Sequence, residues 1–176
     1  MFPLFLGLTI ANLLLLGTVF VLGLFVVDHH DEVTRAYDWH IPLGIAAGLM
    51  IALTHVAIYM YHMATARWLE AASDKAGQPM SRWVVPALAR KRRVFFLMMA
   101  AIGSGMLAMF SGALADPTVN PLLSGEVHMI AGIITLAVNF AVALSEAQHI
   151  QAQGKLMDDA LSTINTQGNN DQTIEI

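Results

Sequence analysis

Two histidines stand at the start of two long apolar stretches, which begin WHIPLG and VHMIAG. His40 is followed four residues later by Gly44, and His128 is followed four residues later by Gly132. Neutral imidazoles are common metal ligands, and two of them on neighbouring helices can supply both axial ligands of a haem iron. A glycine one helical turn away leaves room for a flat ligand beside the backbone. The spacing therefore predicts that the two histidines are halves of one ligand site.

Polar residues also occur deeper in these stretches and in the first apolar stretch of the chain. They are Asn12, His55, Asn139 and Glu146. At about 100° per residue, those of the second and fourth stretches share a helix face with the histidine that begins the stretch. Two hypotheses remain open: an interhelical hydrogen-bond cluster, or a proton or quinone site in which His55 and Glu146 exchange protons. His62 and His149 form a further candidate ligand pair near the other end of the same stretches.

The composition is that of a membrane protein. Of 176 residues, 56% are hydrophobic and 12% are charged, and the mean hydropathy is +0.60. A bilayer-spanning helix needs about 20 apolar residues, and four such runs predict helices at about 2–27, 40–64, 94–115 and 127–147. We therefore expect an all-α, four-helix transmembrane bundle. The absence of cysteine from the sequence excludes disulfides, thiolate nucleophiles and iron–sulfur clusters.

Basic residues predict the orientation of the bundle. Most of the 9 lysines and arginines lie between the second and third runs, and cytoplasmic loops carry the excess of positive charge. We therefore expect the connection 65–93 and both termini in the cytoplasm, with the loops 28–39 and 116–126 outside, as in a multi-pass protein of a bacterial inner membrane. Residues 151–176 are polar and non-periodic, which predicts a disordered cytoplasmic tail.

The two halves of the sequence match weakly when one is shifted by 88 residues, the separation of His40 and His128. The shift also pairs Gly44 with Gly132, Gly17 with Gly105, and Asp28 with Asp116. These matches fall at helix ends and at small interior positions. They predict two tandem helix pairs related by a pseudo-two-fold axis along the membrane normal. The second and fourth helices then run in the same direction, with the two histidines at equal depth.

This arrangement resembles the membrane b-type cytochromes, in which histidines on two helices of a four-helix bundle hold a haem between them. The resemblance covers residues 1–150 as an architecture. It implies a haem b bound by His40 and His128 near the outer face. It also implies an electron-transfer subunit, rather than a stand-alone enzyme, that passes electrons between the quinone pool and an outward-facing redox partner.

The resemblance also assigns roles to smaller residues. Room for the porphyrin is implied at Gly44, Gly132, Gly17 and Gly105, and contact with the haem propionates at Arg35. Gly23 and Gly112, near the outer ends of the first and third helices, are expected to let the macrocycle lie against the backbone. Families of this kind commonly hold a second haem below the first. The counterpart of His55 on the fourth helix is Ala143, so one haem is expected here.

Other functional classes remain open. One is a structural or assembly subunit of a membrane complex without a cofactor, and another is a small transporter or channel that uses His55, Asn139 and Glu146. Expected partners are membrane lipid and other membrane subunits or a soluble cytochrome, and no pattern typical of nucleic-acid binding is present. The acidic loop DHHDE, with His29 and His30, could bind zinc or copper or dock a basic partner.

Overall fold

The computed structural model describes residues 2–28, 35–116 and 120–173. Within these ranges the chain forms four α-helices, which are α1 (Phe2–Asp28), α2 (Arg35–Lys75), α3 (Met80–Leu114) and α4 (Gly125–Thr173). All four are long and apolar enough to cross a membrane. For the described residues, the prediction of an all-α protein with four helices able to span a membrane is therefore confirmed.

The helices form one bundle with a layered interior. Consecutive helices pack against each other, and α4 also packs against α1 and α2. The apolar layer nearer to the two histidines contains Leu16, Ala47, Ile51, Ala101 and Val142. A second apolar layer contains Phe5, Ile58, Val94 and Ile150. Each layer takes residues from all four helices, so the helices cross these levels side by side.

Exposed large apolar side chains mark the part of the bundle that contacts lipid. They run from Ile41 to Met60 on α2, from Phe95 to Leu114 on α3, and from Val127 to Leu144 on α4. About 20 residues of helix span about 30 Å, which is the thickness of the hydrocarbon core of a bilayer. Beyond this lipid-facing band, charged residues such as Arg67 and Glu70 occupy exposed positions.

Three helices continue well beyond the lipid-facing band. With 41 residues, α2 is about 60 Å long, which is twice the thickness of the hydrocarbon core. The sequence predicts a cytoplasmic connection over 65–93 and a disordered tail over 151–176. The structure instead has helix through 65–75 and 80–93, and α4 continues to Thr173. This projecting part consists of α2 from residue 65, α3 up to residue 93 and α4 from residue 151, and we call it the hairpin extension.

The hairpin extension has an apolar core of its own, which explains why it is helical. Its fully enclosed members are Ala66, Leu69, Ala72, Ala76, Trp83, Ala87 and Ala160. Trp83 is completely buried, and its indole nitrogen donates a 2.6 Å hydrogen bond to Asp159 of α4. Most of these core residues are alanines, which carry little hydropathy signal, and the surface around them is charged. Composition alone therefore predicts a polar connection in this part of the chain rather than a packed helical core.

A tight turn at residues 76–79 reverses the chain between α2 and α3. Gly77 has a φ of 58°, a left-handed conformation that glycine adopts without a steric penalty. The amide of Gln78 donates to the carbonyl of Ser73 at 3.0 Å, and the Ser73 hydroxyl donates to the carbonyl of Gln78 at 2.9 Å. Pro79 then precedes α3. This turn sets α2 and α3 antiparallel, so that α3 returns into the membrane beside α2.

Candidate functional site

The structure brings His40 of α2 and His128 of α4 together at one end of the bundle. Their ring centroids are 5.9 Å apart, and the ring planes meet at 79°. Both side chains are partly buried. Two positions that are 88 residues apart in sequence therefore form a single pair of neighbouring imidazoles with nearly perpendicular ring planes, which we call the histidine pair.

A backbone carbonyl of α1 orients the ring of His40. The Nδ1 atom of His40 lies 3.1 Å from the carbonyl oxygen of Val19. Because a carbonyl only accepts, Nδ1 carries the proton, which leaves the lone pair of a neutral imidazole on Nε2. The ring also packs against Gly23, where an added Cβ would lie 3.0 Å from Cε1 of His40. Glycine at this position therefore makes room for the imidazole.

The ring of His128 is held in the same manner by α3. Its Nδ1 lies 3.2 Å from the hydroxyl oxygen of Ser111, and the ring also makes a hydrogen bond to the backbone of Ala108. The Ser111 hydroxyl itself donates to the Ala108 carbonyl at 2.9 Å, so its oxygen is available to accept the Nδ1 proton. An added Cβ at Gly112 would lie 2.8 Å from Cε1 of His128. Among the described residues, neither Nε2 of the histidine pair has a hydrogen-bond partner.

Both helix pairs thus contain the same local arrangement. The carbonyl of Val19 precedes Gly23 by four residues, and the carbonyl of Ala108 precedes Gly112 by four residues. In each pair, one turn of the odd helix supplies a carbonyl and a glycine to the histidine of the next helix. A shift of 88 residues misses this match because it aligns Gly23 with Ser111. The signal in the sequence is a glycine 16 or 17 residues before each histidine.

A cavity of about 120 Å³ lies beside the histidine pair and is lined by residues of all four helices. Its walls include Gly44 and Gly132, as well as Phe20, Gly48, Gly105, Met109 and Met129. An added Cβ at Gly132 would meet Phe20 at 3.4 Å, whereas one at Gly44 would lie 3.9 Å from Val19. The predicted pair of glycines therefore borders the same space as the two imidazoles.

The other residues predicted for this site lie in different surroundings. Gly17 is not among the cavity-lining residues, and an added Cβ there would meet nothing within 4 Å. Gly105 lines the cavity, but an added Cβ would lie 2.8 Å from Cδ1 of Ile51, so it also permits close packing of α3 on α2. Gly23 and Gly112 lie against the imidazoles. The side chain of Arg35, as well as His29 and His30, lies outside the described residues.

A polar layer crosses the bundle between the two apolar layers. The Nδ1 atom of His55 lies 2.8 Å from Oε2 of Glu146, and its Nε2 lies 3.1 Å from Oδ1 of Asn139. The Asn139 amide donates to the hydroxyl oxygen of Ser104 at 3.3 Å and to the Thr135 carbonyl at 2.9 Å. His55, Asn139 and Glu146 are at most 1% exposed. The predicted contact between α2 and α4 is therefore present.

Three oxygens near this level are buried without a partner among the described residues. They are Oδ1 of Asn12, Oγ1 of Thr54 and Oε1 of Glu146. A second cavity, of about 170 Å³, is lined by α1, α4 and Ile58 of α2 and has apolar walls except at Thr9 and Glu146. An unpaired carboxylate oxygen in low dielectric is unfavourable, so Glu146 has the surroundings of a group that binds a proton or a hydrogen-bond donor.

The remaining predicted pair, His62 and His149, differs from the histidine pair. His62 is 0% exposed, and within the described part of the chain both of its ring nitrogens lack a hydrogen-bond partner. His149 and Arg90 lie close enough to act on it electrostatically. Neither a backbone carbonyl nor a hydroxyl orients the ring of His62, whereas both rings of the histidine pair are held by such groups.

Within residues 2–28, 35–116 and 120–173, no group of three or more His, Cys, Asp or Glu side chains is placed to hold a metal ion. The histidine pair supplies two imidazoles and no carboxylate. No protein-family model, curated protein or solved structure matches the chain. The chemistry of the site therefore has to be argued from its own geometry.

Proposed function

We propose that this protein is a membrane b-type cytochrome in which His40 and His128 are the axial ligands of one haem. The observation that carries the proposal is the histidine pair, with ring centroids 5.9 Å apart. The Nδ1 atom of His40 is bonded to a carbonyl of α1, and the Nδ1 atom of His128 is bonded to the Ser111 hydroxyl of α3. Hydrogen bonding of one ring nitrogen orients a ligating imidazole and leaves the other nitrogen free for the metal.

The donor set and its spacing fit a haem iron. The macrocycle supplies four nitrogens to the iron, so two protein ligands complete the coordination. With metal–nitrogen bonds of about 2 Å, the centroids of two opposed imidazoles lie roughly 6 Å apart, close to the 5.9 Å observed. A bare metal ion would need more ligands than this pair provides.

The cavity must enlarge to admit a macrocycle. It holds about 120 Å³, whereas cofactor pockets are usually at least about 300 Å³. Met109 and Met129 line the cavity, and an added Cβ at Gly48 would overlap the sulfur of Met109. Methionine side chains are unbranched and adapt readily, so their movement away from the glycines is the expected adjustment on binding.

Bound haem would supply one-electron redox chemistry. The chain would hold the iron through Nε2 of each histidine, orient the rings through the α1 and α3 carbonyls, and surround the site with apolar side chains. We assign the protein a role in passing electrons between the quinone pool and an outward-facing redox partner, within a larger membrane complex. One haem at one end of the bundle does not span the bilayer, which is why a partner is required.

The proposed orientation places the histidine pair at the outer face of a bacterial inner membrane, with both termini in the cytoplasm. The excess of lysine and arginine around the hairpin extension supports it. The shared arrangement of carbonyl, glycine and histidine supports an origin in two tandem helix pairs. The odd helices of that repeat are offset by 89 residues at Gly23 and Gly112, and the even helices by 88 at the histidines.

We assign the polar layer to proton binding at Glu146. Along α4, Glu146 is 18 residues from His128, or about 27 Å, too far for a ligand at Glu146 to touch the haem. The short contact between His55 and Glu146 and the unpartnered Oε1 atom support exchange of a proton there. Quinone is expected to approach the haem from the lipid beside the histidine pair.

Absorption spectroscopy of the purified protein tests the main proposal. We expect the bands of low-spin, six-coordinate haem b on reduction with dithionite. Substitutions His40→Ala and His128→Ala should each abolish this spectrum, whereas His55→Ala should retain it. A folded protein that stays colourless when supplied with haem would contradict the proposal and favour a structural subunit. Loss of the spectrum in His55→Ala but not in His128→Ala would show that the ligands are misassigned.

A further inference from the structure

A group of basic and hydrogen-bonding side chains lies where the lipid-facing band ends. The dense run of exposed apolar residues stops at Met60 on α2, begins at Phe95 on α3 and stops at Leu144 on α4, and the hairpin extension beyond it carries more widely spaced ones, namely Met80, Val85, Leu88 and Leu161. Just beyond these limits lie His62, Arg90, Arg93, His149 and Gln153. We call this group the basic layer. Its position is that of the lipid headgroups at the hairpin side of the membrane.

Several polar atoms of the basic layer are buried without a partner among the described residues. They are both ring nitrogens of His62, Nη1 of Arg90 and Oε1 of Gln153. The Gln153 amide donates to the Thr65 hydroxyl oxygen at 3.0 Å, but its oxygen has no donor. Buried polar groups in native proteins are nearly always satisfied by protein, water or ligand. A bound molecule at this level would satisfy donors and an acceptor together.

The permanent charges of the basic layer, on Arg90 and Arg93, are both positive. Arg90 and His149 are the neighbours that act electrostatically on His62, and Arg93 acts on both Arg90 and His149. A guanidinium beside the two histidines opposes a metal cation and favours an anion. The layer runs from the exposed Arg93 through the partly exposed Arg90 and His149 to the fully buried His62. An anion can therefore approach from the membrane surface.

We propose that the basic layer is a binding site for a phosphate group, supplied by the headgroup of an anionic phospholipid. Arg90, Arg93 and His149 contact the phosphate, and His62 donates from behind it. Arginine matches phosphate oxygens with paired N–H donors, and anionic lipids are drawn to basic residues at the membrane surface. A hydroxyl on the lipid headgroup supplies the donor that Oε1 of Gln153 lacks. This site goes beyond the proposed electron-transfer function and does not depend on haem.

Lipid binding by the full-length, delipidated protein in detergent tests the proposal. The probes are phosphatidylglycerol, phosphatidylcholine and inorganic phosphate, and the readouts are the thermal unfolding midpoint and the number of retained lipids by native mass spectrometry. Phosphatidylglycerol should raise the midpoint of the wild type and leave one lipid bound. In Arg90→Gln its apparent affinity should fall by about tenfold or more, the effect of losing a hydrogen bond to a charged group.

Arg92→Gln is the matched control, because Arg92 belongs to the same basic run but is exposed. It should behave as the wild type. His149→Gln is a second test variant in case Arg90→Gln fails to fold, and it should also bind phosphatidylglycerol more weakly. Equal losses in Arg90→Gln and Arg92→Gln would reduce the effect to general surface charge and overturn the proposal.

Three further outcomes are decisive. Equal stabilisation by phosphatidylcholine would overturn the requirement for an anionic headgroup. Stabilisation by inorganic phosphate alone, lost in Arg90→Gln, would retain the phosphate site but overturn its assignment to lipid. A second haem that disappears in His149→Gln would overturn the proposal, because the histidines would then be metal ligands. All readouts work with colourless protein, so failure of the haem proposal would not be mistaken for failure of this one.

Discussion

Replacement of Gly112 by alanine tests whether the histidine pair is held at a spacing that matters. The added Cβ would lie 2.8 Å from Cε1 of His128, which is 0.6 Å inside the 3.4 Å where ordinary van der Waals contact begins. It would also lie 3.2 Å from Nδ1 and 3.3 Å from Nε2 of the same ring. The ring must therefore retreat from α3, which strains its bond to Ser111. Overpacking of this kind costs about 1–3 kcal/mol.

That cost should appear as weaker haem binding, roughly 5- to 150-fold. The assay is haem titration of the haem-free protein, followed by the low-spin absorption of the reduced form. Gly103→Ala is the matched control on α3, because an added Cβ there meets nothing within 4 Å. Both variants gain the helix propensity of alanine, about 1 kcal/mol. A haem affinity of Gly112→Ala equal to that of the wild type would refute the packing argument. An equal loss of affinity in Gly112→Ala and Gly103→Ala would also refute it, because it would point to a general effect of alanine on α3.

Four other substitutions probe separate parts of the molecule. Ser111→Ala removes a hydrogen-bond partner of His128. It should weaken haem binding by about 10- to 100-fold in the same titration, as the loss of a hydrogen bond to a metal-ligating histidine does in other proteins. An unchanged affinity would show that the hydroxyl has no role in haem binding. His55→Ala leaves Glu146 and Asn139 without their hydrogen-bond partner in the core and should lower the free energy of unfolding by about 1–3 kcal/mol without loss of the low-spin spectrum. Glu146→Gln, which can still bond His55, should cost less. Trp83→Ala should cost about 3–5 kcal/mol and expose the hairpin extension to limited proteolysis while haem is retained. Arg82→Gln is its control, since the Arg82–Asp159 ion pair is exposed (41% and 46%) and contributes at most about 1 kcal/mol; equal protease sensitivity in the two variants would contradict the role given to the Trp83 core.

The membrane helices were predictable because they depend on local composition. A run of about 20 apolar residues has few stable alternatives to a spanning helix. Three of the four predicted runs lie inside the observed helices, and the third, 94–115, ends one residue beyond α3. The hairpin extension was not predictable in the same way. Its core is built mainly from alanines such as Ala72 and Ala87, which carry little hydropathy signal. Their burial depends on α2, α3 and α4 lying side by side.

The candidate site divides along the same line. The approach of His40 to His128 followed from residue type, equal depth and the parallel course of α2 and α4. The shared face of His55 and Glu146 followed from helical periodicity. Gly17 was predicted to make room for the porphyrin, but it does not line the cavity. The prediction paired Gly17 with Gly105 because they are 88 residues apart in the sequence. Whether a residue lines the cavity depends instead on how its helix is rotated about its axis.

By itself, the sequence determined four helices able to span a membrane, their polar faces and the two histidines near the starts of α2 and α4. These are properties of composition and period within one segment. Only the tertiary structure decided that the carbonyls of Val19 and Ala108 orient those histidines and that Gly23 and Gly112 back them. The physical reason is that such contacts join different helices. They are set by the rotation and axial position of one helix against another, which no single segment encodes.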